Sequence, residues 1–233
     1  MKIVSNKSNL QVLHEDNHLI VVNKRVGDIV QGDKTGDKPL SEVVKEYIKD
    51  KYNKPGEVFL GVVHRLDRPT TGIVVFARTS KALTRMNELF SNRETQKTYW
   101  AIVKNKPSNP ADTLVHFLKR NEKNNTSKAY LKKVLDSKLA SLEYKIIQEL
   151  NNYFALEINL HTGRHHQIRA QLSAIGSPIK GDLKYGFDRS NPDGGIHLHA
   201  RKLVFVHPVT KENIEIIIYI PPKIRRIEIF FAL

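Results

Sequence analysis

The apolar run Val58 to Val63, the polar stretch His64-Arg65-Leu66-Asp67-Arg68-Pro69-Thr70-Thr71-Gly72 and the apolar run Ile73-Val74-Val75-Phe76 follow one another without a break. Short apolar runs bounded by turn residues read as buried strands, so this segment reads as strand, loop, strand. Loops held between rigid strands are where chains commonly display reactive groups. Asp67 is the candidate reactive group here. Arg65 and Arg68 favour its ionised form through opposite charge, and Pro69 stiffens the loop that presents it. An ionised carboxylate between two cations suits a nucleophile or base acting on a nucleotide, with the arginines on phosphate. The same residues also fit a turn aspartate engaged only in local ion pairs.

Outward from this segment, Val12-Leu13-His14-Glu15 and Leu19-Ile20-Val21-Val22 flank Asp16-Asn17-His18 and read as a hairpin. Gly27 to Lys38 reads as a loop. Leu40, Val43, Val44, Tyr47 and Ile48 carry helical spacing, with Ser41 as candidate cap. A second helix is expected with Ser80 as cap and Leu83, Met86, Leu89 and Phe90 on its apolar face. Strands are expected at Lys97 to Val103, Thr113 to Leu118, Lys128 to Leu135, Leu142 to Gln148 and Tyr153 to Leu160, with Asn121 to Ser127 as an exposed hairpin tip. A third helix, His165 to Ile175, ends at Gly176 and Pro178. Strands at His197 to Val206 and Ile214 to Ile220, then Pro221-Pro222, close the chain. Many strands and few helices, not alternating one for one, predict an α+β fold with a mixed, mainly antiparallel sheet and flanking helices.

The 233 residues show no linker that forces a boundary, so a single domain over 1–233 is expected. No apolar run approaches the roughly 18 residues of a membrane span. The N-terminal residues lack the apolar core of a signal peptide, which makes a cytoplasmic location the expectation. The absence of cysteine removes disulfides, thiolate nucleophiles and cysteine-ligated metals. With 38 Lys+Arg against 24 Asp+Glu, the formal charge of +14 points to a polyanionic partner. The densest basic segment, Lys119 to Lys138, holds seven basic and two acidic residues and includes Lys132 and Lys133.

Two further constellations stand out. His161-Thr162-Gly163-Arg164-His165-His166-Gln167-Ile168-Arg169 places small and basic residues at a helix start, where free N–H groups and the helix dipole favour an anion. Arg169 lies one helical turn from His165, so the two are expected to share a face. A metal site built from His161, His165 and His166, or from His197 and His199, lacks a local carboxylate and any zinc spacing, so no metal is expected. In Lys97-Thr98-Tyr99-Trp100-Ala101, strand alternation sends Tyr99 and Trp100 to opposite faces. One of the two is expected in the core, and the other is free to stack on a base.

Taken together, these stretches resemble the RluA-type RNA pseudouridine synthases. His64 to Gly72 resembles the family loop H-R-L-D-x-x-T-[ST]-G, and Val12 to Lys24 its opening hairpin. Lys97 to Ala101 resembles its K-x-Y-x-A strand. Thr162 to Arg169, running on through Gly176-Ser177-Pro178, Gly181-Asp182 and Tyr185-Gly186, resembles its T-G-R-x-H-Q-I-R and G-x-P-I-x-G-D segments. His197-Leu198-His199-Ala200 and His207-Pro208 fit its closing strands. The resemblance implies the pseudouridine synthase fold, with a central catalytic cleft, and conversion of selected uridines in structured ribosomal or transfer RNA to pseudouridine without metal or organic cofactor. It puts the catalytic aspartate on Asp67, the base-packing tyrosine on Tyr99 and the carboxylate's arginine partner on Arg169. Arg65 matches the residue that fills the gap left by a flipped uridine. Arg68, Arg164 and His166 join it in binding RNA, and Leu198 or Ile196 supplies an apolar wall for the uracil.

Two departures accompany the match. Arg25 stands where the family usually has proline after Asn23-Lys24, and too few residues precede the first hairpin for the S4-type RNA-binding domain of many relatives. Lys132 and Lys133 are therefore expected to contribute to RNA binding, by a protein expected to be monomeric. The alternative reading is a catalytically silent RNA-binding protein or chaperone on the same fold. A hydrolase of N-glycosidic bonds would want a second carboxylate to activate water.

Overall fold

A computed structural model describes residues 3–219, which fall into two compact units, the residues up to Thr95 with Ala200–Ile218, and Gln96–His199 with Tyr219. In the first unit β1 (Val12–Glu15) and β2 (Leu19–Lys24) form the expected hairpin, in which Asp16 Oδ1 accepts the N–H groups of His18 and Leu19. β2 pairs antiparallel with β4 (Thr71–Ala77) from Gly72 to Ala77. Ile20, Val22, Val74 and Phe76 lie on one face and pack against Leu40, Val43, Val44 and Ile48 of α1 (Leu40–Lys51). The opposite face, with Leu19, Val21, Ile73 and Val75, is buried as well. Burial on both faces explains why these strands read as continuous apolar runs rather than alternating ones.

α1 starts without a side-chain cap. Pro39, not Ser41, occupies the cap position, and the first two amides of the helix donate to Ile29 and Val30 carbonyls of the preceding loop at 2.7 and 3.3 Å. Loop carbonyls thereby do the work of a capping hydroxyl. The run Val58 to Val63 forms ladder bonds only in β3 (Gly61–Val62), which pairs with β4. Val58 and Leu60 bury side chains against the α1 core without strand pairing, so they look like strand in sequence alone. In α2 (Ser80–Ser91) the cap is Thr79, one residue earlier than Ser80, with its Oγ1 accepting from Ala82 N–H at 3.2 Å.

The second unit is an antiparallel succession. β5 (Gln96–Val103) pairs with β9 (Phe154–Leu160), β9 with β8 (Lys138–Glu149), β8 with β6 (Ala111–Asn121), and β6 with β7 (Thr126–Tyr130). The polar hairpin tip lies between β6 and β7, as expected. β7 stops at Tyr130 rather than continuing to Leu135, because the chain must cross β6 to reach its other edge as β8. α3 (Gln167–Ala174) packs Ala170 with Leu118, Ala140 and Tyr185. It begins two residues later than expected because His166 adopts a left-handed backbone, φ 51°. His165 therefore lies outside the helix and shares no helical face with Arg169.

The end of α3 is as anticipated. Gly176, at φ 78°, donates to Ser173 C=O, and Ser177 N–H reaches back to Leu172 C=O at 2.9 Å, a Schellman closure. A 3-10 turn at Leu183–Tyr185 follows. β10 (Leu198–Val206) begins in the second unit and from Ala200 belongs to the first, where β11 (Asn213–Ile217) pairs with it. Ile220 and Pro221-Pro222 lie outside the described residues. Every strand pair with a described register is antiparallel, in keeping with the α+β class.

Candidate active site

In the first unit, the Asp67 loop is fixed from beneath by Lys24. This lysine is fully buried, and its Nζ donates to the carbonyls of Arg25, Arg68 and Thr70 at 3.0, 3.1 and 2.7 Å. An ammonium has three donors, so these bonds use its full capacity. Thr70 N–H closes the turn onto Asp67 C=O at 3.0 Å, and Gly27 N–H reaches Arg68 C=O at 2.9 Å. Leu66 anchors the loop in the core. His64 stacks on Phe90 with ring centroids 4.8 Å apart, and its Nε2 accepts Val75 N–H. Gly72 leaves the loop at φ 115°, where an added Cβ would lie 2.4 Å from the Ala200 carbonyl oxygen. No side chain fits there.

This frame presents Arg65, Asp67 and Arg68 on one turn. Arg65 is exposed and Asp67 half-buried. Arg68 holds Asp37 of the neighbouring loop at 2.5 Å, so this cation also ties two loops together. Replacing Lys24 by Met would orphan the carbonyls that it holds. The expected result is a loss of about 3 kcal/mol or more in urea unfolding, since bonds to a charged donor are worth about 1.5–3 kcal/mol each.

In the second unit, Tyr99 lies on β5 opposite Ile158 and is buried, while Trp100 faces the other way and donates Nε1–H to Glu157 at 3.2 Å. Tyr99 thus lies on the buried face of β5 and Trp100 on the outer one. The turn before α3 is tied by Gln167, whose Oε1 accepts from Thr162 Oγ1 and from Arg164 N–H, while its Nε2 donates to Ser141 C=O. Arg169 is buried and donates Nε and Nη2 to the two oxygens of Asp182 at 2.7 and 2.8 Å, a bidentate pair. Its guanidinium carbon lies 4.9 Å from the centre of the Tyr185 ring. The Tyr185 hydroxyl accepts Ser127 N–H at 2.7 Å and lies 2.9 Å from His166 Nδ1. His166 and Arg169 are thus brought together around Tyr185 and Asp182. Arg164 donates Nε–H to Leu139 C=O, and Lys132 and Lys133 are exposed on the segment between β7 and β8. Ile196 and Leu198 are both buried.

Burial, followed by the nearby Lys180 charge, pushes His197 down to about 3, and burial also lowers His116. Both are neutral in the folded protein at neutral pH, whereas the unfolded chain takes up protons below about 6.5. Stability is therefore fully present above that value and falls as pH drops toward 3. Each such histidine contributes a slope of up to about 1.4 kcal/mol per pH unit. Urea unfolding between pH 7 and 5 is expected to show this decline, and His197→Asn to show a shallower one.

Nothing local in the sequence gives Lys24, Asp182 or Gln167 a role. Their spacing within the matched motifs is the one signal they carry. Among the described residues no group of three or more His, Asp or Glu side chains is arranged to hold a metal ion, and His161 lies 3.2 Å from Glu143 on β8. No described helix is long and apolar enough to cross a membrane.

Comparison with known proteins places the chain in a family. The profile of the family described as RNA pseudouridylate synthase matches residues 18–174, which run from the first hairpin through α3. Ribosomal large subunit pseudouridine synthase D of Xanthomonas campestris is 31% identical over 233 residues, covering 94% of this chain and 68% of that protein. tRNA pseudouridine synthase C of Vibrio cholerae is 30% identical over 225 residues, covering 89% of each. Among solved structures, human RNA pseudouridylate synthase domain containing 4 superposes with a TM-score of 0.75 at 24% identity, over 95% of this chain and 90% of that one, a likeness of fold. The chain belongs to the RNA pseudouridylate synthase family. Its activity is that of an RNA pseudouridine synthase, an isomerase.

Proposed function

We propose that the chain isomerises specific uridines in structured ribosomal or transfer RNA, with Asp67 as its catalytic carboxylate. The observation that carries this reading is the Lys24 anchorage. A buried ammonium spends two of its three donors on the backbone of the turn that presents Asp67 and the third on the neighbouring Arg25 carbonyl, and a turn held in this way is the preorganisation a reacting carboxylate requires. In the reaction the N1–C1′ bond of the uridine breaks and a C5–C1′ bond forms. The proton on C5 is lost and N1 gains one, so the substance is unchanged in composition. Asp67 acts by attack on the sugar or the ring or by proton removal at the sugar. Tyr99 packs on the base and assists loss of the C5 proton, Arg169 supports the carboxylate, and Leu198 or Ile196 walls the uracil. Arg65 fills the gap left by the flipped nucleotide, since a stacked base is out of reach of a catalytic group. Arg68, Arg164, His166, Lys132 and Lys133 serve RNA binding, in a monomeric cytoplasmic protein.

The names of the relatives, one acting on large-subunit ribosomal RNA and one on transfer RNA, support these two substrate classes. The test uses unmodified ribosomal and transfer RNA, each tritiated at uracil C5. Release of tritium to water is expected from one of the two. Release from neither would overturn the substrate assignment.

A further inference from the structure

Residues 131–137 carry β7 across β6 to β8, and the 3.9 Å pair between Lys119 and Asp136 places them over the outer face of β6. The sequence here, Leu131-Lys132-Lys133-Val134-Leu135-Asp136-Ser137, looks like strand, yet two of its leucines point into solvent. Leu131 is 83% exposed and Leu135 81%, and Val115 of β6 and Leu139 of β8 are 50% and 46% exposed. The crossing segment is not slack. Ser137 N–H donates to Val134 C=O at 3.0 Å, Val134 N–H donates to Ser137 Oγ at 3.0 Å, and Asp136 takes the left-handed backbone of the turn, φ 61°. Leu135 is thus held out at the tip of a closed turn. Two solvated leucines four residues apart on one crossing segment, one of them held by a closed turn, cost hydration free energy in the isolated protein, and such patches mark contact surfaces.

The occupant is read from charge. Lys132, Lys133 and Lys138 are exposed beside the leucines and form no ion pair among the described residues, while the nearby acids are already engaged, Asp136 by Lys119 and Glu143 by His161. A second protein surface would have to bring both apolar area and a block of acids. A nucleic acid offers phosphates at regular spacing with apolar base faces between them. Apolar side chains inserted between base steps beside cations on the backbone are a known physical solution for binding it.

We propose that Leu131 and Leu135 form an apolar wedge that enters between bases of the RNA substrate while Lys132 and Lys133 hold the adjacent phosphates. This rests on the RNA-directed function proposed above and adds to it a contact that measures the substrate's deformability. Stems or loops that unstack easily at this position bind better.

The test compares wild type with Leu131→Ser/Leu135→Ser, whose solvent-exposed positions spare the core, using fluorescently labelled unmodified transfer and ribosomal RNA across a salt series. The expected result is a Kd raised about tenfold or more with the slope of log Kd against log salt unchanged, because no cation is lost. Leu131→Phe, which keeps an apolar group able to stack, is expected to bind close to wild type. Lys132→Ser/Lys133→Ser is expected to reduce the slope instead. In turnover, the leucine change is expected in KM rather than kcat. An unchanged Kd for the serine variant would overturn the wedge. So would a wild-type dimer in sedimentation that the serine variant dissociates, since the patch would then face a second copy. Binding with these signatures but no tritium release from wild type would overturn the proposed reaction and leave the wedge standing.

Discussion

Asp67→Asn is expected to lower the rate of tritium release by about four orders of magnitude or more, the scale seen when a nucleophile or general base is removed. The substitution is isosteric, and the side chain is only half-buried. The turn's own bond is made by the backbone carbonyl of Asp67, not by its carboxylate, and the Lys24 bonds go to neighbouring carbonyls. The variant should therefore fold and bind RNA as wild type does. A stopped rate with intact binding assigns the chemistry to the carboxylate. Release within tenfold of wild type would contradict it.

Asp182→Asn is expected to cost stability rather than chemistry. It removes a charge paired with Arg169 where both side chains are almost wholly buried. Breaking such a pair from one side costs about 3–5 kcal/mol, because a cation is left in a poorly solvating interior. Replacing both residues, as Arg169→Met/Asp182→Leu, should recover much of that loss, since an apolar pair can substitute for a buried ion pair. If Arg169 also serves the reaction, the double variant stays inactive while unfolding in urea near the wild-type midpoint. Recovery of activity along with stability would confine Arg169 to a structural role. A single Asp182→Asn variant within 1 kcal/mol of wild type would contradict the pairing itself.

The contrast between these two residues shows how far sequence reading reaches. Asp67 stands out as a candidate because it lies in a polar loop between two apolar runs, flanked by arginines and proline, a local pattern that needs no knowledge of the fold. Asp182 was quoted within a motif but gained its meaning only when the chain brought it to Arg169, thirteen residues away. Lys24 is a sharper case. A lysine at the end of a strand normally reads as solvated, and only the return of Arg68 and Thr70 over it reveals a buried anchor. Errors at element ends have a common cause, namely tertiary satisfaction of groups that sequence expects to be met locally. Loop carbonyls replace a cap at Pro39, and core packing without pairing makes Val58 to Leu60 look like strand. The left-handed His166 delays α3 and separates His165 from Arg169, and no sequence signal marked that backbone. Leu131 and Leu135 look like strand in sequence because apolar residues are usually buried, and their exposure is what sets the segment apart.

The most direct test of the account is nucleoside analysis of RNA after incubation with the wild-type protein. The reacted RNA is digested and the nucleosides are separated, alongside the Asp67→Asn control. Catalysis by Asp67 predicts pseudouridine in amounts matching the tritium released, an intact RNA chain and no free uracil, and with the variant an intact RNA that carries no new pseudouridine. Free uracil with abasic sites would identify a hydrolase, and RNA that binds tightly yet stays unmodified would identify a silent binder. Either result would contradict the proposal that Asp67 drives isomerisation of uridine.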